Sequence, residues 1–175
     1  MQNSKLNILI LGMPLSGKST LGKNLSTKLD LDFNDLDVFI ESKYNKSISI
    51  IFSEYGEKTF RKYEKTCLNE LSQKNNHILS LGGGSINNLT EKLFVNFNIR
   101  IWLKTTIEIL VQRFNKLQED NRPLLKSKNI YDKLSNIYDK RFKYYKKNSN
   151  MIINVDEKSV NEISNEIITK LNEIN

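Results

Sequence analysis

The chain is poor in the residues that build cross-linked or membrane-anchored proteins. Cys67 is its only cysteine, so a disulfide within the chain is impossible. No apolar stretch approaches the roughly 20 residues that cross a bilayer, and the N-terminus lacks a charged-then-apolar leader with a small-residue cleavage site. A cytosolic protein without a membrane partner is expected. There is no internal repeat and no low-complexity linker, and at 175 residues one compact domain is the economical reading. The single histidine, His77, precedes a strand and is not needed by any mechanism the chain suggests. Also missing is a basic stretch interleaved with aromatics. The net charge is +7, but lysines are scattered over every segment. The densest cluster, Lys140-Arg141-Phe142-Lys143-Tyr144-Tyr145-Lys146-Lys147, has helical periodicity and reads as a solvated helix face. No nucleic-acid partner is therefore expected, although a positive field favours anionic substrates. Cys67 shares an apolar helix side with Phe60, Leu68 and Leu71, which makes it a small buried hydrophobe.

What the chain does have is Gly12-Met13-Pro14-Leu15-Ser16-Gly17-Lys18-Ser19-Thr20. This G-x-x-x-x-G-K-[ST] pattern follows the apolar run Leu6–Leu11 and precedes Leu21, Leu25 and Leu29 at helical spacing, so it lies between a buried strand and a helix. That setting is the one in which the glycines let backbone N–H groups surround a polyphosphate. The helix N-terminus aims about half a unit of positive charge at the same anion. Lys18 would reach the β and γ phosphates, and the Ser19 hydroxyl would hold Mg²⁺. A nucleoside triphosphate is the expected ligand.

Further short apolar runs at Ile78–Leu81, Ile99–Leu103 and Met151–Val155 each precede a helical pattern, and a weaker strand is expected at Leu31–Leu36. Strands alternating with helices predict a three-layer α/β/α fold with a five-stranded parallel sheet. Residues 36–75 read as a helical substrate-binding insert, in which Gly56 ends a short helix marked by Ile48, Ile51, Phe52 and Tyr55. The polar segment 115–129, carrying Arg122-Pro123, reads as a mobile lid.

Three smaller features bear on the acceptor. Asp35-Leu36-Asp37 ends the second strand at the ligand-binding edge of the sheet. If residues alternate there, both carboxylates face one way, one toward a metal and one toward an acceptor hydroxyl. Arg61 stands three residues before Glu64 on a helix, so the carboxylate can orient a guanidinium fork suited to a carboxylate ligand. Gly82-Gly83-Gly84 follows the strand Ile78–Leu81 and permits close backbone approach to a polar ligand.

Taken in order, these pieces resemble the shikimate kinase family, part of the nucleoside monophosphate kinase group of P-loop proteins. The resemblance runs nearly end to end: the P-loop, Asp35-x-Asp37, Ser49-Ile50-Ile51-Phe52-x-x-x-Gly56-Glu57-x-x-Phe60-Arg61-x-x-Glu64, Leu81-Gly82-Gly83-Gly84, Arg122-Pro123-Leu124-Leu125 and Arg141-x-x-x-Tyr145. It implies phosphorylation of the 3-hydroxyl of shikimate by ATP, with Mg²⁺, in a monomer. It implies that Asp37, Arg61, Gly82, Gly83, Gly84 and Arg141 hold shikimate, with Asp37 also the catalytic base beside Lys18 and Arg122. For the nucleotide it implies Gly12, Leu15, Ser16, Gly17, Lys18, Ser19 and Thr20, the adenine-stacking Arg113, the lid Arg122, and Lys158 at the adenine. For the metal it implies Ser19 and, through water, Asp35. Asn121 and Asn148-Ser149 depart from the family pattern, and the lid is slightly long. The rival readings are a gluconate or nucleoside monophosphate kinase, a nucleotide-binding regulatory module, and a nucleic-acid-binding P-loop protein.

Overall fold

The computed structural model describes residues 5–82, 84–85, 91–116 and 129–174. Gly83 and residues 117–128 of the expected lid, Arg122 among them, lie outside the described residues.

Strand β1 (Asn7–Gly12) is buried along its whole length because its two faces serve two cores. Leu9 and Leu11 point into one apolar cluster with Leu36, Ile40, Phe60, Cys67, Leu79 and Trp102. Ile8 and Ile10 point into another with Leu21, Leu25, Ile101, Ile153 and Ile167. A continuous run of Leu and Ile, where a one-sided strand would alternate, is the pattern of a parallel strand covered on both sides. Around it stand β2 (Asp32–Asp35), β3 (His77–Ser80), β4 (Ile99–Lys104) and β5 (Met151–Asn154). Their order is β2-β3-β1-β4-β5, and every neighbouring pair is parallel. The expected five-stranded parallel sheet is present.

Because all five strands run one way, the loops leaving them open at one rim, where open α/β sheets bind ligands. Helix α1 (Lys18–Leu29) leaves β1 and packs on α8 (Val160–Ile174). The segment after β2 holds α2 (Leu36–Tyr44), a short α3 (Ile48–Ile50), a π turn (Ile51–Tyr55) and α4 (Gly56–Leu71). Here the structure is more broken than the single short helix expected from Ile48 to Tyr55. Gly56, at φ 75° and ψ 167°, marks the break into α4, as its position suggested. Stacked Tyr44 and Tyr63 rings, 3.7 Å between centroids, and the Phe52–Phe60 pair at 4.7 Å tie this insert together. Helices α5 (Glu91–Phe94), α6 (Ile107–Asn115) and α7 (Ile130–Asn148) complete the layers, with α6 against α7. On α7, Arg141 and Tyr145 turn inward while Lys140, Lys143, Lys146 and Lys147 are exposed, so the basic cluster is a helix face with two buried exceptions. No helix among the described residues is long and apolar enough to cross a membrane.

The opposite rim of the sheet is polar and buried. Asn7 donates to the carbonyls of Lys74 (3.1 Å) and Asn96 (2.8 Å), and its own N–H reaches Asn98 Oδ1 at 2.8 Å. Beside it in the sheet, His77 is fully buried, packed on Phe97, and neither ring nitrogen has a hydrogen-bond partner among the described residues. Burial pushes the His77 imidazole down to about 4, so at neutral pH it is an uncharged core residue.

Candidate active site

The phosphate-binding turn is shaped before any ligand arrives. Ser16 N–H donates to Met13 O at 3.2 Å, Leu15 is held in the left-handed region at φ 69°, and Gly17 at φ 91° is the N-cap of α1. A left-handed N-cap suits glycine, which has no Cβ to clash there. No side chain caps α1, so its first N–H groups are left for an anion. Ser16 Oγ is buried without a hydrogen-bond partner among the described residues, a second group fitted to a phosphate oxygen. Lys18 curls into the turn, its Nζ donating to Met13 O at 2.8 Å. Arg113 crosses from α6 to bond Leu15 O at 3.0 Å, which sets its guanidinium beside the turn. Thr20 is exposed and lines, with Ser19, Lys23, Asn24 and Val160, an open pocket of about 620 Å³. Lys158 instead pairs with Glu166 of α8 at 2.8 Å, and no described contact joins it to the phosphate turn.

The acidic pair reaches the same place by a route the sequence reading did not foresee. The strand ends at Asp35, whose carboxylate caps α2: Oδ1 accepts from the N–H groups of Asp37 (3.0 Å) and Val38 (3.4 Å). Asp37 therefore belongs to the first turn of a helix, and strand alternation does not set its direction. The cap wins because an aspartate at this point satisfies orphan helix donors that an extended chain would not have. The other oxygen of Asp35 accepts from the Ser19 hydroxyl, which joins the two residues expected to hold a metal. A hydroxyl and a carboxylate beside a phosphate cradle are hard oxygen donors of the kind Mg²⁺ takes. Among the described residues no group of three or more His, Cys, Asp and Glu could hold a metal, and Mg²⁺ in such sites needs only one or two protein donors beside phosphates and water.

Asp37 lies against the glycine run. A Cβ on Gly82 would fall 2.3 Å from Asp37 Oδ1, so only glycine allows this approach. Burial, then the charge of Asp35, pushes the Asp37 carboxyl up to about 6; Lys18 pulls it down, and Glu64 and Glu41 add smaller upward contributions. Asp35 ties cradle and carboxylate together, one oxygen accepting from the Ser19 hydroxyl and the other from the Asp37 N–H.

Arg61 is held by two carboxylates of opposite character. Its Nη1 donates to both oxygens of Glu64, at 3.1 and 2.9 Å, and its Nε and Nη2 donate to Glu57 Oε1, at 3.2 and 3.0 Å. Glu64 is 1% exposed and Glu57 63%. Burial works against the Arg61 charge, but Glu64 and Glu57 outweigh it and hold the guanidinium above its ordinary value. A Cβ on Gly84 would lie 3.0 Å from Arg61 Nη2, so the glycine run touches Asp37 at one end and Arg61 at the other. Arg141 is buried on α7 one turn before Tyr145, whose hydroxyl burial pushes up to about 12 against the opposing pull of Arg141. Two participants escaped the sequence reading: Glu57 as a partner of Arg61, and Ser85, which donates to Glu64 Oε1 at 2.6 Å. The i, i+4 spacing of Glu57 and Arg61 could have revealed the first; nothing local reveals the second.

The shikimate kinase family profile matches residues 14–172. A shikimate kinase of Clostridium botulinum (strain Okra / Type B1) is 44% identical over 122 residues, 69% of this chain and 72% of its own. Another, of strain ATCC 19397 / Type A, is 40% identical over 153 residues, 87% of this chain and 89% of its own. A solved shikimate kinase of Acinetobacter baumannii in complex with shikimate superposes with a TM-score of 0.90 at 29% identity, over 97% of this chain and 94% of that one. By that profile and those relatives, this chain belongs to the shikimate kinase family.

Proposed function

We propose that this protein transfers the γ-phosphoryl group of ATP to the 3-hydroxyl of shikimate, giving shikimate 3-phosphate and ADP, a step toward chorismate and the aromatic amino acids. The observation that carries the proposal is the position of Asp37, joined through Asp35 to Ser19 of the cradle and set against a glycine run whose other end meets Arg61. This linkage supports reading Asp37 as base, the turn at Gly12–Ser19 as phosphate cradle and Arg61 as part of a carboxylate grip.

Phosphoryl transfer asks the protein to position the acceptor and neutralise oxygens. In this reading Arg61 and Arg141 hold the carboxylate of shikimate, and Asp37 with Gly82, Gly83 and Gly84 holds the ring hydroxyls. The 3-hydroxyl oxygen forms a bond to the γ-phosphorus as the bond to the β-γ bridging oxygen breaks. ADP leaves, and the hydroxyl proton passes to the Asp37 carboxylate. A carboxyl near 6 suits this task, because at neutral pH it is ionised yet still a competent acceptor. Lys18 neutralises phosphate oxygens. Arg122 closes over them with the lid and excludes water. Arg113, and the turn carrying Lys158, face the adenine. The Ser19 hydroxyl and, through water, Asp35 would hold Mg²⁺, which would supply further neutralisation of phosphate charge. The enzyme acts as a cytoplasmic monomer on small anionic substrates, without a nucleic-acid or membrane partner.

A coupled assay of ADP release, run in parallel with shikimate, gluconate and nucleoside monophosphates, tests the acceptor. Turnover is expected with shikimate alone, and equal or faster turnover with either rival acceptor contradicts the proposal.

A further inference from the structure

We infer that Ser85 is a positioning residue for the acceptor, fixing the buried Glu64 carboxylate and, through it, the direction in which Arg61 presents its guanidinium. The inference rests on the acceptor reading above and extends it to a side chain just beyond the glycine run.

Ser85 is fully buried and Glu64 is 1% exposed, so neither can turn to solvent for a partner. The Ser85 hydroxyl donates to Glu64 Oε1 at 2.6 Å, and that same oxygen accepts from Arg61 Nη1 at 3.1 Å. A carboxylate gripped by two donors on one oxygen has its plane fixed, and the planar guanidinium paired with it must follow. Ser85 is itself fixed by the turn, its N–H donating to Gly82 O at 3.1 Å. A Cβ on Gly82 would fall 2.9 Å from Ser85 Oγ and 2.3 Å from Asp37 Oδ1. The turn that abuts Asp37 therefore also sets the hydroxyl that orients Arg61, so the two ends of the acceptor are held in register by one piece of backbone. Glu57 cannot do this work, because it is an exposed carboxylate whose one hydrogen-bond partner among the described residues is Arg61 itself.

The test is the Ser85→Ala variant in steady-state kinetics, with thermal unfolding as the control for folding. The KM for shikimate should rise about tenfold, the scale of one lost hydrogen bond to a charged group, with the KM for ATP unchanged and kcat within about threefold. In a Glu64→Gln background the same substitution should change the shikimate KM less than about twofold, because Ser85 acts through Glu64. With shikimate methyl ester, which has no carboxylate charge, it should leave KM unchanged. An unchanged shikimate KM in folded Ser85→Ala overturns the inference. So does an equal rise in both KM values, or a full effect that persists in the Glu64→Gln background. If Ser85→Ala does not fold, Ser85→Cys, near in size but a weak donor, carries the same two expectations for shikimate and ATP and the same refutations. A wild-type protein inactive on shikimate overturns the acceptor reading along with this one. An active wild type with an indifferent Ser85 variant overturns this one alone.

Discussion

On the phosphate side of the cleft, from Gly12 to Ser19, the chain offers mostly its own peptide groups, and the helix that follows is left without a side-chain cap. On the proposed acceptor side, apart from the glycine run, the groups are side chains held by others: Asp35 caps the helix that carries Asp37, Glu64 holds Arg61, and Ser85 holds Glu64. A backbone cradle needs one contiguous stretch with the right conformations. A side-chain pocket needs segments from four places to arrive together with their charges matched. The first half should therefore tolerate change in its neighbours, and the second should fail through partners.

The largest effect should come from Asp37→Asn, with kcat lower by a factor on the order of 10² to 10⁴ and ATP affinity preserved. Near-normal turnover of the purified variant would remove Asp37 as the base. In the wild type, kcat/KM should fall below about pH 6 as Asp37 takes up a proton. The sign for stability is opposite. A carboxyl raised in the folded state stabilises it at low pH and loses that contribution as pH rises from about 4 through about 6. Asp37→Asn should then melt above the wild type at pH 7.5, with the gap closing toward pH 4; a constant gap contradicts the assigned shift.

Next in size is Lys18→Met, which removes the main side-chain charge of the backbone-built half and should cost about 10² to 10³ in kcat. Steady-state rates equal to wild type would show that the peptide groups suffice. The glycine run offers a finer contrast. Gly82→Ala drives a methyl into Asp37 and should lower kcat roughly tenfold or more, whereas Gly84→Ala meets the flexible end of Arg61 and should mainly raise the shikimate KM. Equal losses of kcat in both would break the division of labour between the two ends.

The smallest effect lies away from the cleft. His77 is depressed to about 4, so wild-type stability should decline as pH falls from about 6.5 to about 4, where the unfolded chain binds the proton first. Chemical denaturation of His77→Leu should show a flatter dependence across that window, and identical slopes would refute it.

How far the sequence foretold this molecule differs between the two halves for the same reason. Gly12 to Ser19 is contiguous, so its pattern and its flanking strand and helix are legible together. Asp35 and Asp37 were recognisable as residues but not in geometry, because a strand-ending aspartate can also cap a helix, and only the folded chain shows which it does. Ser85 matters through Glu64, 21 positions away, and no local signal announces such a pairing. His77 reads from the sequence as a residue just before a strand, and Asn7 as one polar position inside the apolar run Leu6–Leu11. Their burial depends on the turns at 74–76 and 96–98 folding over that rim. Residues 117–128 of the expected lid, with Arg122, lie outside the described residues.

The outer strands of the sheet, β2 and β5, have only four residues each, and Asp32 on one and Asn154 on the other face solvent. A short rim with polar side chains is a poor template for a further strand. In a chain so rich in Ile and Asn, such edges disfavour the addition of a neighbouring copy's strand, with Ile152 of β5 the one exposed apolar side chain on them.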